Sequence, residues 1–185
     1  GKITNMRSVA EETVDAVVRY LGKSVRPCAT RQKPFPGGSH PSLDRLKEEL
    51  AQQFGRGPAA LSRQQVDYLV DLYGALAPAV LEFAQKDPEL AKPIRQDDVA
   101  IWAQLAYGVE REWVYTTADF LLRRTPLGLA PGLAADVAAP VAEWIGRRLG
   151  RSAEDVARDI AHYEATIQRM GYVPQADAAG GQRTG

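Results

Sequence analysis

The sequence predicts an all-α fold: a multi-helix domain preceded by one helix and a short irregular or extended segment. Three observations predict it. Apolar residues recur at spacings of three and four in window after window, the period of a helix with one buried face. Cap-forming residues (Ser42, Ser62, Thr116, Ser152) stand immediately before those windows. Gly and Pro separate one window from the next.

Taken in order, residues 5–21 form the first helical pattern, with Val9, Thr13, Ala16, Val17 and Tyr20 on one face, Asn5 as N-cap and Gly22 just past the end. From 23 to 41 the pattern stops. Pro27, Pro34, Pro36, Gly37, Gly38 and Pro41 exclude a long helix, so residues 25–35 are expected to be extended, as one or two short strands, with Pro36-Gly37-Gly38 as a turn. Ser42 then caps a helix carrying Leu43, Leu46, Leu50 and Phe54. Ser62 with Gln65 three residues on forms a capping box opening a helix with Val66, Leu69, Val70 and Tyr73. Gly74 breaks that helix, and Pro78 suits the first turn of the next. Asp87-Pro88 and Lys92-Pro93 bracket a loop. Val99, Trp102, Ala106, Val109 and Trp113 predict a buried stripe on a helix beginning at Asp97 or Asp98. Thr116 with Asp119 starts a helix running to about Arg124. Pro131 and Gly132 lead into a helix with Val137, Val141, Trp144, Ile145 and Leu149, which Pro140 kinks or restarts. Ser152 with Asp155 caps the last helix, whose face is Val156, Ile160, Tyr163, Ile167 and Met170. Residues 175–185 carry no apolar pattern and are expected to be disordered.

The bulk properties narrow the function. At 185 residues the chain suits one domain, or one domain with an appendage. Its 23 basic and 23 acidic side chains cancel, which argues against a nucleic-acid partner despite the pairs Arg123-Arg124 and Arg147-Arg148. A single cysteine, Cys28, rules out an internal disulfide and suits a reducing compartment. No apolar run approaches the roughly 18–20 residues that span a bilayer.

A self-contained active site is not evident. His40 and His162 are the only histidines; a nucleophilic pair would need Cys28 beside one of them, whereas a free cysteine is more often a small packed side chain. No set of ligating residues has metal spacing, and neither a dinucleotide fingerprint nor a P-loop is present. Glu110, Glu112 and Asp119 read as solvated faces and caps. Two stretches stand out. Gly1-Lys2-Ile3-Thr4 is a turn opening directly into a helix, where backbone N–H groups and the helix dipole suit a phosphate or a flavin carbonyl. Tyr107 through Trp113, followed by Thr116 and by Asp119 through Thr125, places Arg123 and Arg124 in a last helical turn, able to pair with Glu110 or Glu112 across a hairpin.

In this order, several pieces resemble the C-terminal portion of FAD-dependent glycerol-3-phosphate dehydrogenases: Gly1-Lys2-Ile3-Thr4 with Arg7 and Ala10-Glu11, Phe35-Pro36-Gly37-Gly38, Leu72-Tyr73-Gly74, Tyr107 through Glu112, and Asp119 with Leu122-Arg123-Arg124-Thr125. The resemblance runs from about Gly1 to Met170. It departs from the usual pattern at Asn5, Met6, Gln104 and Pro126.

The resemblance implies three parts: residues 1–41 as the tail end of an FAD-binding domain, 42–173 as a helical C-terminal domain, and 174–185 as a disordered tail. It also implies a parent enzyme that oxidises glycerol 3-phosphate to dihydroxyacetone phosphate, passing electrons to FAD and then to a quinone. The family's Gly-Gly-Lys-x-Thr turn lies against the flavin; Gly1, Lys2 and Thr4 match its second half and are the expected cofactor-binding residues, with Lys2 able to hold negative charge there. No residue of this chain is expected to be catalytic. The chain would be a trimmed piece, inactive and without flavin when isolated. Its partner would be the N-terminal FAD domain, with self-association into a homo-oligomer favoured if that domain's face is left bare. The parent would be cytoplasmic and peripheral on the cytoplasmic membrane. Two alternatives stand beside this reading: a stand-alone helical interaction protein derived from that domain, and a parent that is an oxidase using oxygen.

Overall fold

Ser42 accepts the Arg45 N–H at 3.3 Å, and from that cap onward the chain packs helix on helix. The computed structural model describes residues 2–96 and 98–171, so Gly1 and the tail expected at 174–185 lie outside the described residues. Helix α1 is Met6–Tyr20, α2 is Leu43–Phe54, α3 is Arg63–Tyr73, α4 is Ala77–Lys86, α5 is Trp102–Arg111, α6 is Ala138–Leu149 and α7 is Ala153–Arg169.

The caps that the sequence announces are built. Gln65 N–H donates to the Ser62 hydroxyl (3.2 Å) while the Gln65 side chain accepts the Ser62 N–H (2.8 Å). Ser152 and Asp155 form the same reciprocal pair ahead of α7. Pro78 sits in the first turn of α4, and Pro140 in the first turn of α6, so it restarts the helix after the 3-10 turn Ala135–Val137. The loop expected after Asp87 is itself a 3-10 turn, Pro88–Ala91.

Two apolar cores share α5. Leu46, Leu50 and Phe54 of α2 pack with Val66, Leu69 and Val70 of α3, Leu81 of α4, and Ile101, Ala103 and Tyr107 from the α5 region. On the other side Leu105 joins Phe120, Leu121, Val141, Ile145, Tyr163 and Ile167. Tyr68 touches both cores.

α5 is shorter than its pattern suggests. It begins at Trp102, and Trp113 falls outside it, 93% exposed with φ 60°. Trp102 and Val109 are only half-buried, whereas Ala103 through Gly108 are all buried. The helix is gripped from both sides, so the apolar stripe alone does not mark its core face. Gln104 sets the start by accepting the Ile101 N–H at 2.9 Å. Residues 119–124 form a π-helical segment, Asp119–Arg124, in which Thr125 N–H reaches Phe120 O at 3.1 Å. On α7, Tyr163 and Ile167 are buried as expected, but Met170 is exposed and Asp159 is buried. Asp159 accepts the Thr117 N–H (3.0 Å) and hydroxyl (2.8 Å), tying α7 to the start of the π-helical turn.

Residues 2–41 behave differently: none is buried. α1 ends as the sequence indicates. Gly22 at φ 60° lets its N–H reach Arg19 O and the Lys23 N–H reach Val18 O, a Schellman ending. The strands expected at 25–35 are absent; no strand occurs among the described residues. No neighbouring strand is there to pair with, and the prolines withhold ladder donors. The Pro36–Gly38 turn does form, with Gly38 N–H on Phe35 O (2.8 Å) and Gly37 at φ 88°.

Candidate functional site

Lys2 is extended (φ −77°, ψ 137°) and leads into the 3-10 turn Ile3–Asn5, which runs straight into α1. No side chain caps either start; Asn5 is helical and does not cap as expected. Among the described residues no side chain accepts from the leading amides of Ile3 and Thr4, the arrangement by which a helix start meets an external acceptor. Lys2 and Thr4 are exposed.

Arg7 pairs with Glu11 at 2.5 Å and also donates to the Thr30 hydroxyl at 3.3 Å, fastening α1 to the segment that follows it. The Glu11 hydrogen bond holds the Arg7 guanidinium above its usual range. Cys28 is exposed, with Sγ 3.0 Å from Thr30 Oγ1, and is not the packed side chain that its residue type suggested. His40 Nδ1 lies against Ser42 backbone atoms (2.7 Å to O). Between α1 and residues 25–36 runs a groove of about 770 Å³ lined by Met6, Ala10, Val14, Val25 and Phe35 among others. The face Val9–Val17–Tyr20 is open to solvent. Among the described residues no group of three or more His, Cys, Asp or Glu could hold a metal ion.

The segment is pinned to the helical domain at one tight point. A Cβ on Gly37 would lie 2.6 Å from Tyr73 O, and one on Gly74 would lie 2.2 Å from Gly37 O. Ala75 N–H donates to Gly37 O at 2.8 Å. The turn at Gly37 and the break at Gly74 are thus two halves of one contact. The signal in the sequence was two glycines beside a Pro and a Tyr, with nothing to say that they meet.

A second group gathers at the end of α5. Arg124 donates to Glu112 O at 2.8 Å, Arg123 pairs with Asp119 at 2.9 Å, and Glu110 pairs instead with Arg148 of α6. Burial pushes the Glu112 carboxyl up, partly offset by the Arg124 charge. Burial acts the same way on Asp119, but bonds from Thr116 and Tyr115 and the charge of Arg123 outweigh it and leave this carboxyl below its usual range. Among the described residues the Tyr68 and Tyr73 hydroxyls, Gln104 Nε2 and Glu112 Oε2 are buried without hydrogen-bond partners; burial raises both phenols.

The family model for the C-terminal domain of alpha-glycerophosphate oxidase matches residues 28–156, well over half of the chain. The chain belongs to this family. The alpha-glycerophosphate oxidase C-terminal match takes in both the Gly37–Gly74 contact and the cluster around Glu112. Among similar proteins, a glycerol-3-phosphate dehydrogenase of Synechocystis is 34% identical over 129 residues, covering 70% of this chain and 22% of that protein. The aerobic glycerol-3-phosphate dehydrogenase of Bacillus subtilis is 35% identical over 132 residues (68% and 23%), and an alpha-glycerophosphate oxidase of Lactococcus lactis 29% over 130 (68% and 20%). The solved glycerol-3-phosphate dehydrogenase of Bacillus halodurans, complexed with FAD, matches with TM-score 0.73 and 28% identity, covering 91% of this chain and 34% of that one. The chain spans about a fifth of the length of the curated relatives it matches.

Proposed function

We propose that this chain is the C-terminal part of an FAD-dependent glycerol-3-phosphate dehydrogenase, with 1–41 closing the FAD-binding domain and 42–173 forming the helical domain packed on it. The observation that carries the reading is the likeness, over 91% of the chain, to a dehydrogenase that binds FAD. The exposure of Val9, Val17 and Tyr20 on α1 supports it, since these form an apolar face that no described residue covers. The parent would oxidise the C2 alcohol of glycerol 3-phosphate to dihydroxyacetone phosphate.

The residues present fit a flavin edge. An extended lysine followed by uncapped amides at a helix start offers positive potential and N–H donors to a carbonyl-bearing ring. Gly1, Lys2 and Thr4 would hold FAD, which when bound supplies the hydride acceptor. The Lys2 ammonium would attract negative charge at that edge, and the turn would fix its distance. This chain carries no dinucleotide fingerprint, so by itself it should neither bind flavin nor turn over substrate. The purified chain is expected to be colourless in the visible range and inactive on glycerol 3-phosphate; bound flavin with turnover would overturn that part. Sequencing the gene upstream of Gly1 tests the rest: a flavoprotein reading frame supports the proposal, and a start codon directly before Gly1 supports a stand-alone helical protein instead.

A second reading, an oxidase passing electrons to oxygen, is favoured by the oxidase among the relatives and by the family's own description. Oxygen consumption against quinone reduction by the parent separates the two. We place the parent in the cytoplasm, peripheral on the membrane; no helix among the described residues is long and apolar enough to cross one, and salt extraction of the membrane fraction tests the attachment.

A further inference from the structure

Trp113 carries two costs at once. It is 93% exposed, and it is held at φ 60°, a left-handed conformation that a bulky side chain seldom adopts. The backbone around it is nevertheless clamped. Val114 is buried against Gly108, whose carbonyl accepts the N–H groups of both Glu112 and Val114 at 3.0 Å. Arg124 holds Glu112 O at 2.8 Å and Arg151 holds Tyr115 O at 2.6 Å. The Arg151 guanidinium also lies 3.8 Å from the centre of the Tyr115 ring, and Asp119 accepts the Tyr115 and Thr116 N–H groups. A loop fixed at both ends, presenting a Trp and a Tyr beside an Arg, has the composition and preorganisation of an interface anchor.

We propose that the loop 112–116 is an edge by which the helical domain docks on the FAD-binding part of the same polypeptide, with Trp113 as its anchor. The inference rests on the function proposed above. Two observations choose this occupant. The helix that leads into the loop is linked to the segment already assigned to that side. The Tyr73 ring packs edge-on against Tyr107 of α5 at 5.7 Å, and the Tyr73 carbonyl is the seat of Gly37. The matched relatives are also some four to five times longer than the matching stretch, so most of their chain must pack elsewhere. A lipid surface is the poorer fit. Of the arginines around the loop, Arg148 is engaged with Glu110, Arg123 with Asp119, Arg124 with Glu112 O and Arg151 with Tyr115 O, which leaves Arg111, and the whole chain carries no net charge to attract anionic lipid.

Hydroxyl-radical footprinting of the full-length polypeptide and of this 185-residue chain tests the proposal, with flavin absorbance of the full-length protein recorded beside it. Trp113 should be oxidised at least tenfold more slowly in the full-length protein, while exposed Met170 reacts alike in both. Bound flavin with Trp113 equally reactive in both would overturn the docking proposal and leave the function standing; a full-length protein without flavin would bring down the function first. Protection of Trp113 only when phosphatidylglycerol vesicles are added would assign the loop to a membrane and also overturn the proposal. Trp113→Gly adds a readout that a merely structural role would not give. The isolated chain should melt no lower, because the strain is relieved and no burial is lost, whereas the full-length protein should release its flavin faster. A lower melting temperature in the isolated chain would count against the loop as a docking edge.

Discussion

α1 and α7 carry the same kind of sequence and meet opposite fates. Each has apolar residues at helical spacing and a well-formed end, yet α7 buries Tyr163 and Ile167 while α1 buries nothing. Residues 2–41 hold together through local bonds, Arg7 to Glu11 and Thr30 and the Schellman ending, and touch the helical domain tightly at Gly37. Residues 42–171 hold together through two cores built from contacts distant in sequence. Amphipathic patterning therefore tells that a face seeks a partner; it does not tell whether the partner is in the chain.

The largest test of this contrast is Phe120→Ala. Phe120 is fully buried where the π-helical turn meets α6 and α7. Its truncation should cost about 3–5 kcal/mol in urea unfolding followed by circular dichroism. Next comes Asp159→Ala, which strands the buried Thr117 N–H and hydroxyl; a loss of about 1–3 kcal/mol is expected by the same measurement. Gly74→Ala should act locally. Its Cβ overlaps Gly37 O, and its φ of 55° is already strained for alanine, by about 1–2 kcal/mol. Hydrogen exchange at Ala75 should accelerate and trypsin should cut sooner at Arg26, Arg31 or Lys33, while the helical signal persists. Unchanged exchange would mean that the two regions are joined elsewhere.

Acidity gives a smaller, signed effect. Glu112 is held above its usual value by burial, so its contribution to stability is full below the ordinary glutamate range, near 4.5, and fades as pH rises through the raised value. Glu112→Gln should therefore gain on the parent chain with rising pH in that window. Asp136 has the opposite sign. Bonds from Arg95 at 2.6 and 2.7 Å hold it low, so its contribution is present above about 3.8 and is lost on acidification. Val17→Ala on α1 should do least, within about 0.5 kcal/mol. A cost approaching that of Phe120→Ala would end the distinction between the two regions.

Local chemistry made much of the fold legible. Ser62 with Gln65, Ser152 with Asp155 and Thr116 with Asp119 all form the caps their spacing implies, because a cap needs only residues within one turn. Asn5 does not cap, Cys28 and Met170 are exposed, and two longer stretches depart from their pattern. The stripe from Val99 to Trp113 overran its helix, since periodicity cannot see the left-handed turn at Trp113 that ends it. Residues 25–35 had strand-like composition but no strand to pair with. At the candidate site, Lys2 and Thr4 stood out as a turn before a helix, whereas Gly37 on Gly74 and Asp159 on Thr117 join residues 37 and 42 positions apart, and nothing local announces either.

By itself, then, the sequence determined the all-α class, the helix starts and most of their buried faces, since these depend on spacing and capping within a few residues. It also carried the motifs of the family. Tertiary structure alone decided that α5 is shared by two cores, that the Gly37 turn locks against Gly74, that Trp113 is exposed and that no residue of α1 is buried. Those outcomes depend on what lies across the fold from each residue, and burial is a property of the pair, not of either sequence alone.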